Sequence, residues 1–126
     1  MTRYIERKLR EVKIAEGLYK ARIGRIAEEK AVETPFGIKD KLIVPFEVEN
    51  GSQPIEINKR YNYSIHENSS FAGLIRSVTG SLPGEKFDLD TLEGQRCQVV
   101  ITHRTTDAGD VWENIQTVMA AAAEEQ

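Results

Sequence analysis

The chain has 126 residues, 40% hydrophobic and 29% charged, enough for one domain with a real hydrophobic core. Its net charge of -3 counts against a strongly basic nucleic-acid binder, although the charge on a binding face can differ from the sum. The single cysteine, Cys97, excludes an intramolecular disulfide and a four-cysteine metal site. No apolar run reaches membrane-spanning length and no signal-peptide pattern opens the chain, so no membrane partner and a cytoplasmic location are expected.

Residues 1–16 alternate charge with isolated apolar residues and fit an extra strand, a short helix or a mobile arm. The first strand is expected over residues 17–29. Tyr19, Ala21 and Ile23 point to one face, and Lys20 and Arg22 to the other. The phase slips at Gly24 and resumes at Ile26, which predicts a bulge or sharp bend there. Residues 31–40 are expected to form a loop around the turn Thr34-Pro35-Phe36-Gly37. A second strand follows over 41–49, with Leu42, Val44, Phe46 and Val48 on its apolar face. Pro45 in that strand implies an edge or a bulge, because it cannot donate to a ladder. Asn50-Gly51 signals a hairpin into a third strand over 55–65.

Phe71, Leu74, Ile75 and Val78 then recur at helical spacing, which predicts a helix over 69–79. Asn68 and Ser69 can cap its start and Gly80 its end. In the connection 82–94, Phe87, Leu89 and Leu92 are expected to fold back under the core. A fourth strand over 96–104 and a fifth over 111–119 flank a hairpin loop built on Asp107, Gly109 and Asp110. Residues 120–126 read as an alanine-rich, then acidic tail. Three strands, a helix and two strands is the order of a mainly β, five-stranded OB-fold barrel with one capping helix, expected over 17–119.

No phosphate-binding glycine loop, zinc-protease motif or other metal-ligand spacing is present, and His66 and His103 are isolated. Cys97 alternates with Val99 and Ile101 and reads as a buried structural thiol. Catalysis, cofactors and metals are therefore not expected. A binding surface is. OB folds bind along their second and third strands and the loops beside them. Single-strand binding needs cations for phosphates and aromatic rings for bases. On that mapping Trp112, Phe36 and Tyr61 would stack bases, and Lys20, Arg22, Lys39, Lys41, Arg60 and Arg104 would contact phosphate. Each also has a plainer reading. Tyr61 and Tyr63 share phase with Ile55 and Ile57 and fit the core as well as a platform. Phe36 could only pin its loop, and outward Lys and Arg are usually just solvated.

The segment Glu16-Gly17-Leu18-Tyr19-Lys20-Ala21 resembles the opening of small OB-like proteins of bacteriophages and mobile elements. Leu74-Ile75 with Gly80, Phe87-Asp88-Leu89, Leu92-Glu93-Gly94-Gln95-Arg96-Cys97 and Trp112-Glu113-Asn114-Ile115 fit the later blocks, so the likeness covers about residues 16–119. It implies single-stranded DNA binding in replication or recombination, with replication or recombination proteins as further partners. A homo-oligomer is also expected, since single-strand binders often assemble along one strand. Glu124 and Glu125 resemble a stub of the acidic recruiting tails of such proteins, without the terminal phenylalanine. Two rivals stand beside this reading: a protein-interaction or assembly module, and a structural or virion-associated protein, neither binding DNA.

Overall fold

A computed structural model describes residues 8–35, 37–51 and 53–121, apart from the side chains of Val32, Thr34 and Lys39. The fold is mainly β. Six antiparallel strands form one sheet: β1 (Gly17–Ile23), β2 (Ala27–Thr34), β3 (Gly37–Val48), β4 (Ile55–Asn62), β5 (Arg96–Thr105) and β6 (Val111–Ala120). Two helices, α1 (Ser70–Thr79) and the one-turn α2 (Leu89–Leu92), lie between β4 and β5. The strand order is β2-β3-β1-β5-β6, with β4 on the other side of β3. The sheet is not closed by a ladder between β4 and β6. The two approach each other instead, and Lys59 Nζ of β4 donates to the Ile115 carbonyl of β6 at 2.6 Å.

The expected first strand is two. Glycine permits the break, and neighbouring groups fix it. Gly24 N–H donates to Pro45 O (2.8 Å), Ile26 N–H to Glu93 Oε2 (2.7 Å), and Ile23 exchanges backbone bonds with Gln95 and Gly94. On the far side of the break the pairing to β3 resumes, from Ile23↔Phe46 to Ala27↔Ile43. Pro45 lies in that interruption, so its missing N–H leaves no gap in the β1 or β2 ladder.

The region expected as a loop is largely strand. β2 continues to Thr34 and β3 starts at Gly37. Its charged residues broke the apolar alternation because Glu28, Lys30 and Glu33 are exposed. Ala31, at φ 55°, marks a bulge where the register shifts between Glu29 and Val32, and its N–H is held by Asp40 Oδ1 at 3.0 Å.

The helix follows its sequence signals. Ser69 accepts from the Ala72 N–H at 3.1 Å, and Gly80 ends α1 in the left-handed region at φ 86°. Its apolar stripe, Phe71, Leu74 and Ile75, is buried. Val44, Phe46, Val48, Leu92, Cys97, Val99 and Ile101 complete a core closed to solvent, with Phe87 and Leu89 packed against it from outside. Each such side chain contributes roughly 1.5–3 kcal/mol on burial. Among the described residues no helix is long and apolar enough to cross a membrane.

Residues 8–16 form neither helix nor strand, and they are docked. Ile14 is buried, and its carbonyl meets His103 Nε2 at 2.8 Å. Tyr19 Oη donates to Ala15 O (2.8 Å), and the His103 N–H donates to Glu16 Oε2 (2.8 Å).

The break makes a specific prediction. A Cβ on Gly24 would sit 3.1 Å from the Pro45 ring, whose carbonyl is tied to the same residue. Gly24→Val is expected to destabilise the fold by ~1–3 kcal/mol. A lower urea midpoint with unchanged slope would match; an unchanged midpoint would contradict the packing described for the bend.

Candidate nucleic-acid interface

Alternation along the strands decides which side chains face out. On β3 the buried residues are Leu42, Val44, Phe46 and Val48, leaving Lys41, Ile43, Pro45 and Glu47 on the other face. Register then sets Lys41 opposite Asn62 and Glu29, Ile43 opposite Arg60, and Glu47 opposite Arg22 and Glu56. This face was expected to be cationic. It is mixed instead. Lys41 Nζ donates to Asn62 Oδ1, and Arg60 lies 3.4 Å from Glu29 Oε2. At the bulge of the β2–β3 hairpin, Lys30 bridges Glu28 (3.2 Å) and Asp40 (3.7 Å) and covers the Tyr63 ring at 4.8 Å.

Tyr61 corrects the sequence reading. It is 5% exposed, packed edge-on against Phe71 with ring centroids 5.7 Å apart, and opposite Leu42. Burial pushes its hydroxyl well above the ordinary tyrosine range. It is a core residue and offers no ring to a ligand. Tyr63, in the same phase, lies past the end of β4 and is exposed, with Oη 3.3 Å from Glu28. Phe36 lies outside the described residues, as does the Lys39 side chain; the Lys39 backbone pairs with Val32.

The other three strands carry a different balance. β1 and β5 contain no acidic residue, and β6 contains only Glu113. Their outward positions align by register: Arg22 with Arg96, Lys20 with Gln98 and Met119, Leu18 with Val100 and Thr117, Thr102 with Asn114, and Arg104 with Trp112. Lys20, Arg22, Arg96, Arg104 and Trp112 therefore share one sheet face, and all five are exposed. Arg96 to Arg104 spans roughly 26 Å at the usual strand rise. At one end Lys20, Arg22 and Arg96 line an open groove of about 480 Å³ whose far wall carries Glu47 and Glu49. Between the ends lie Leu18, Val100, Thr102, Asn114 and Thr117, without charge; Asn114 Nδ2 donates to Thr102 Oγ1 at 3.2 Å.

Sequence reasoning named Lys20, Arg22, Arg104 and Trp112 but assigned them to a surface shared with Lys41 and Arg60. The structure separates the two groups onto different parts of the sheet. Arg96 was missed, although its phase with Gln98, Val100 and Arg104 was readable. Arg10 was missed with no sequence signal to find it.

Arg10 enters at the Trp112 end. Its guanidinium carbon lies 4.1 Å from the Trp112 ring centroid, a cation–π contact. The guanidinium donates to Val111 O and to Glu113 Oε1, both at 2.6 Å. The Arg10 backbone donates to Asp110 Oδ1 (2.8 Å) and accepts from the Val111 N–H (2.9 Å). Glu113 is 3% exposed and also accepts from the Lys13 N–H at 2.9 Å. Burial alone would raise its carboxyl. The N–H groups of Lys13 and of Glu113 itself, together with Arg10, outweigh that and hold it below the ordinary carboxylate range.

Burial pushes the Cys97 thiol up to about 12, so it is not a thiolate at neutral pH. Partial burial lowers the Lys59 ammonium, and the Ile115 carbonyl engages it. Among the described residues no group of three or more His, Cys, Asp or Glu could hold a metal. No family model and no curated protein matches the chain.

The lowered carboxyl of Glu113 gives a pH test. Its contribution to stability is present above the unfolded value, about 4.3, and is lost as pH falls through the lower folded value. The protein is expected to be more stable than Glu113→Gln at pH 7, with the gap closing toward pH 2 in urea titrations. A gap that stays constant with pH would contradict the pairing.

Proposed function

We propose that this protein binds single-stranded DNA without sequence preference and without catalysis, along the outward face of β1, β5 and β6. The observation that carries the reading is the gathering of Lys20, Arg22, Arg96, Arg104 and the exposed Trp112 on strands whose one carboxylate is buried. Four of the chain's 17 Lys and Arg residues lie on this face, with Glu47 and Glu49 of the neighbouring β3 side bordering only its Arg22 end. Cations along a strand suit a phosphate backbone, and an indole suits any base, because every base has a π-face. The uncharged middle leaves room for a chain lying across the sheet.

The same reading takes the fold as an OB-type barrel of five strands, with β1 and β2 as one bent strand and Lys59 spanning the seam. On the sequence resemblance it places the protein among bacteriophage and mobile-element proteins of replication or recombination, acting in the cytoplasm and assembling as several copies along one strand. The strand face proposed here differs from the OB surface expected from sequence, because there Tyr61 is in the core and Arg60 faces Glu29. One feature favours a rival. Leu18 is 59% exposed beside Val100 and Thr117, and an uncharged patch can also seat another protein.

Titration of the lone tryptophan with a short oligothymidine tests the proposal. Saturable quenching is expected, with log affinity falling against log salt at a slope near -3 if four cations each meet a phosphate, about -0.7 apiece. Trp112→Ala, followed by anisotropy of a labelled oligonucleotide, is expected to weaken binding roughly five- to hundredfold. No binding at low salt would remove the DNA reading and leave the assembly module.

A further inference from the structure

Resting on that reading, we infer that Arg10 is a positioning residue of the site: it holds the Trp112 indole in place for stacking and adds its own charge beside it. The segment 8–16 then forms part of the binding surface.

Three observations carry this. First, the guanidinium lies 4.1 Å from the ring centroid, and Trp112 nevertheless remains 47% exposed. One side of the indole is backed by a flat cation while the ring still reaches solvent. Second, the guanidinium is not free to wander. Val111 O and Glu113 Oε1 fix its two arms, and its backbone is tied to Asp110 and Val111. Third, the strap continues as an anchored segment: Lys13 N–H binds Glu113, Ile14 is buried, and Ile14 O is held by His103.

The alternative role, a plug that a ligand must displace, is disfavoured by the latch. Pulling Arg10 away would leave the Glu113 carboxylate, 3% exposed, without its charged partner. The N–H groups of Lys13 and Glu113 would stay on it, but the ion pair and the bond to Val111 O would be lost together, so the arriving strand meets Arg10 in place. A guanidinium is also the right group for this task. It is planar and carries several donors, so it can stack on an indole and grip a carbonyl and a carboxylate at once. An ammonium cannot do all three.

The test uses the lone tryptophan in the full-length protein, with Arg10→Ala, Arg10→Lys and Glu113→Gln. In free protein, all three variants are expected to raise acrylamide quenching of Trp112 and lower its anisotropy. With a labelled oligothymidine, each is expected to bind roughly threefold or more weakly than wild type. Arg10→Lys is expected to keep the wild-type salt slope while losing affinity, which separates positioning from charge. Variants that bind as tightly as a wild type that does bind would overturn the inference and leave the DNA reading standing. A wild type that does not bind oligothymidine at all would remove both. Unchanged quenching and anisotropy in free Arg10→Ala would overturn the inference whatever the DNA result.

Discussion

Between Gly24 and Ile26 one run of chain must leave one of its two neighbours and continue along the other. β2 pairs only with β3, whereas β1 pairs with the far end of β3 and also with β5. The break separates the stretch on which β5 and then β6 build from the stretch that pairs with β3 alone. Three fixtures enforce it: the Pro45 carbonyl on Gly24, the Glu93 carboxylate on Ile26, and the Gly94-Gln95 backbone on Ile23. Two of these come from the segment just after α2. The buried Leu92 of α2 therefore helps seat the bend as well as fill the core.

Charge follows from that arrangement. The half of the sheet built on β2, β3 and β4 mixes signs, and three of its cations lie against acids or an amide: Lys41 on Asn62, Arg60 near Glu29, Lys30 between Glu28 and Asp40. Such exposed pairs add little stability, and they cancel the field a polyanion would feel. On β1, β5 and β6 the cations point outward and the one acid of these strands points inward, with Glu47 of β3 opposite Arg22 at the edge between the halves. The strap uses that acid. Glu113 neutralises part of Arg10 but leaves the guanidinium stacked on Trp112.

Much of the fold was legible in sequence. Helical spacing and caps located α1, period-two alternation located β3 and β5, and a phase slip located the bend at Gly24. Each works because one face is buried and the other is not. The β2–β3 extension was not legible for the converse reason, since exposed charges interrupt its pattern. Phase could not separate Tyr61 from Tyr63, because what distinguishes them is the end of β4, beyond which the same phase no longer points into the core. The strap was invisible because its bonds join residues about a hundred positions apart. The candidate face was half legible. The absence of acids from β1 and β5 stood in the sequence, but mapping by analogy to the OB surface drew attention to β3 and β4.

The most direct test of the account is which half of the sheet carries the ligand. Arg96→Glu and Arg60→Glu reverse one exposed charge each, on opposite halves, in residues that contribute nothing to the core. Affinity for a labelled oligothymidine, measured across a salt series, compares them directly. Arg96→Glu is expected to weaken binding and flatten the salt slope by about one phosphate contact, with Arg60→Glu close to wild type. Loss on Arg60→Glu with Arg96→Glu unaffected would contradict the account.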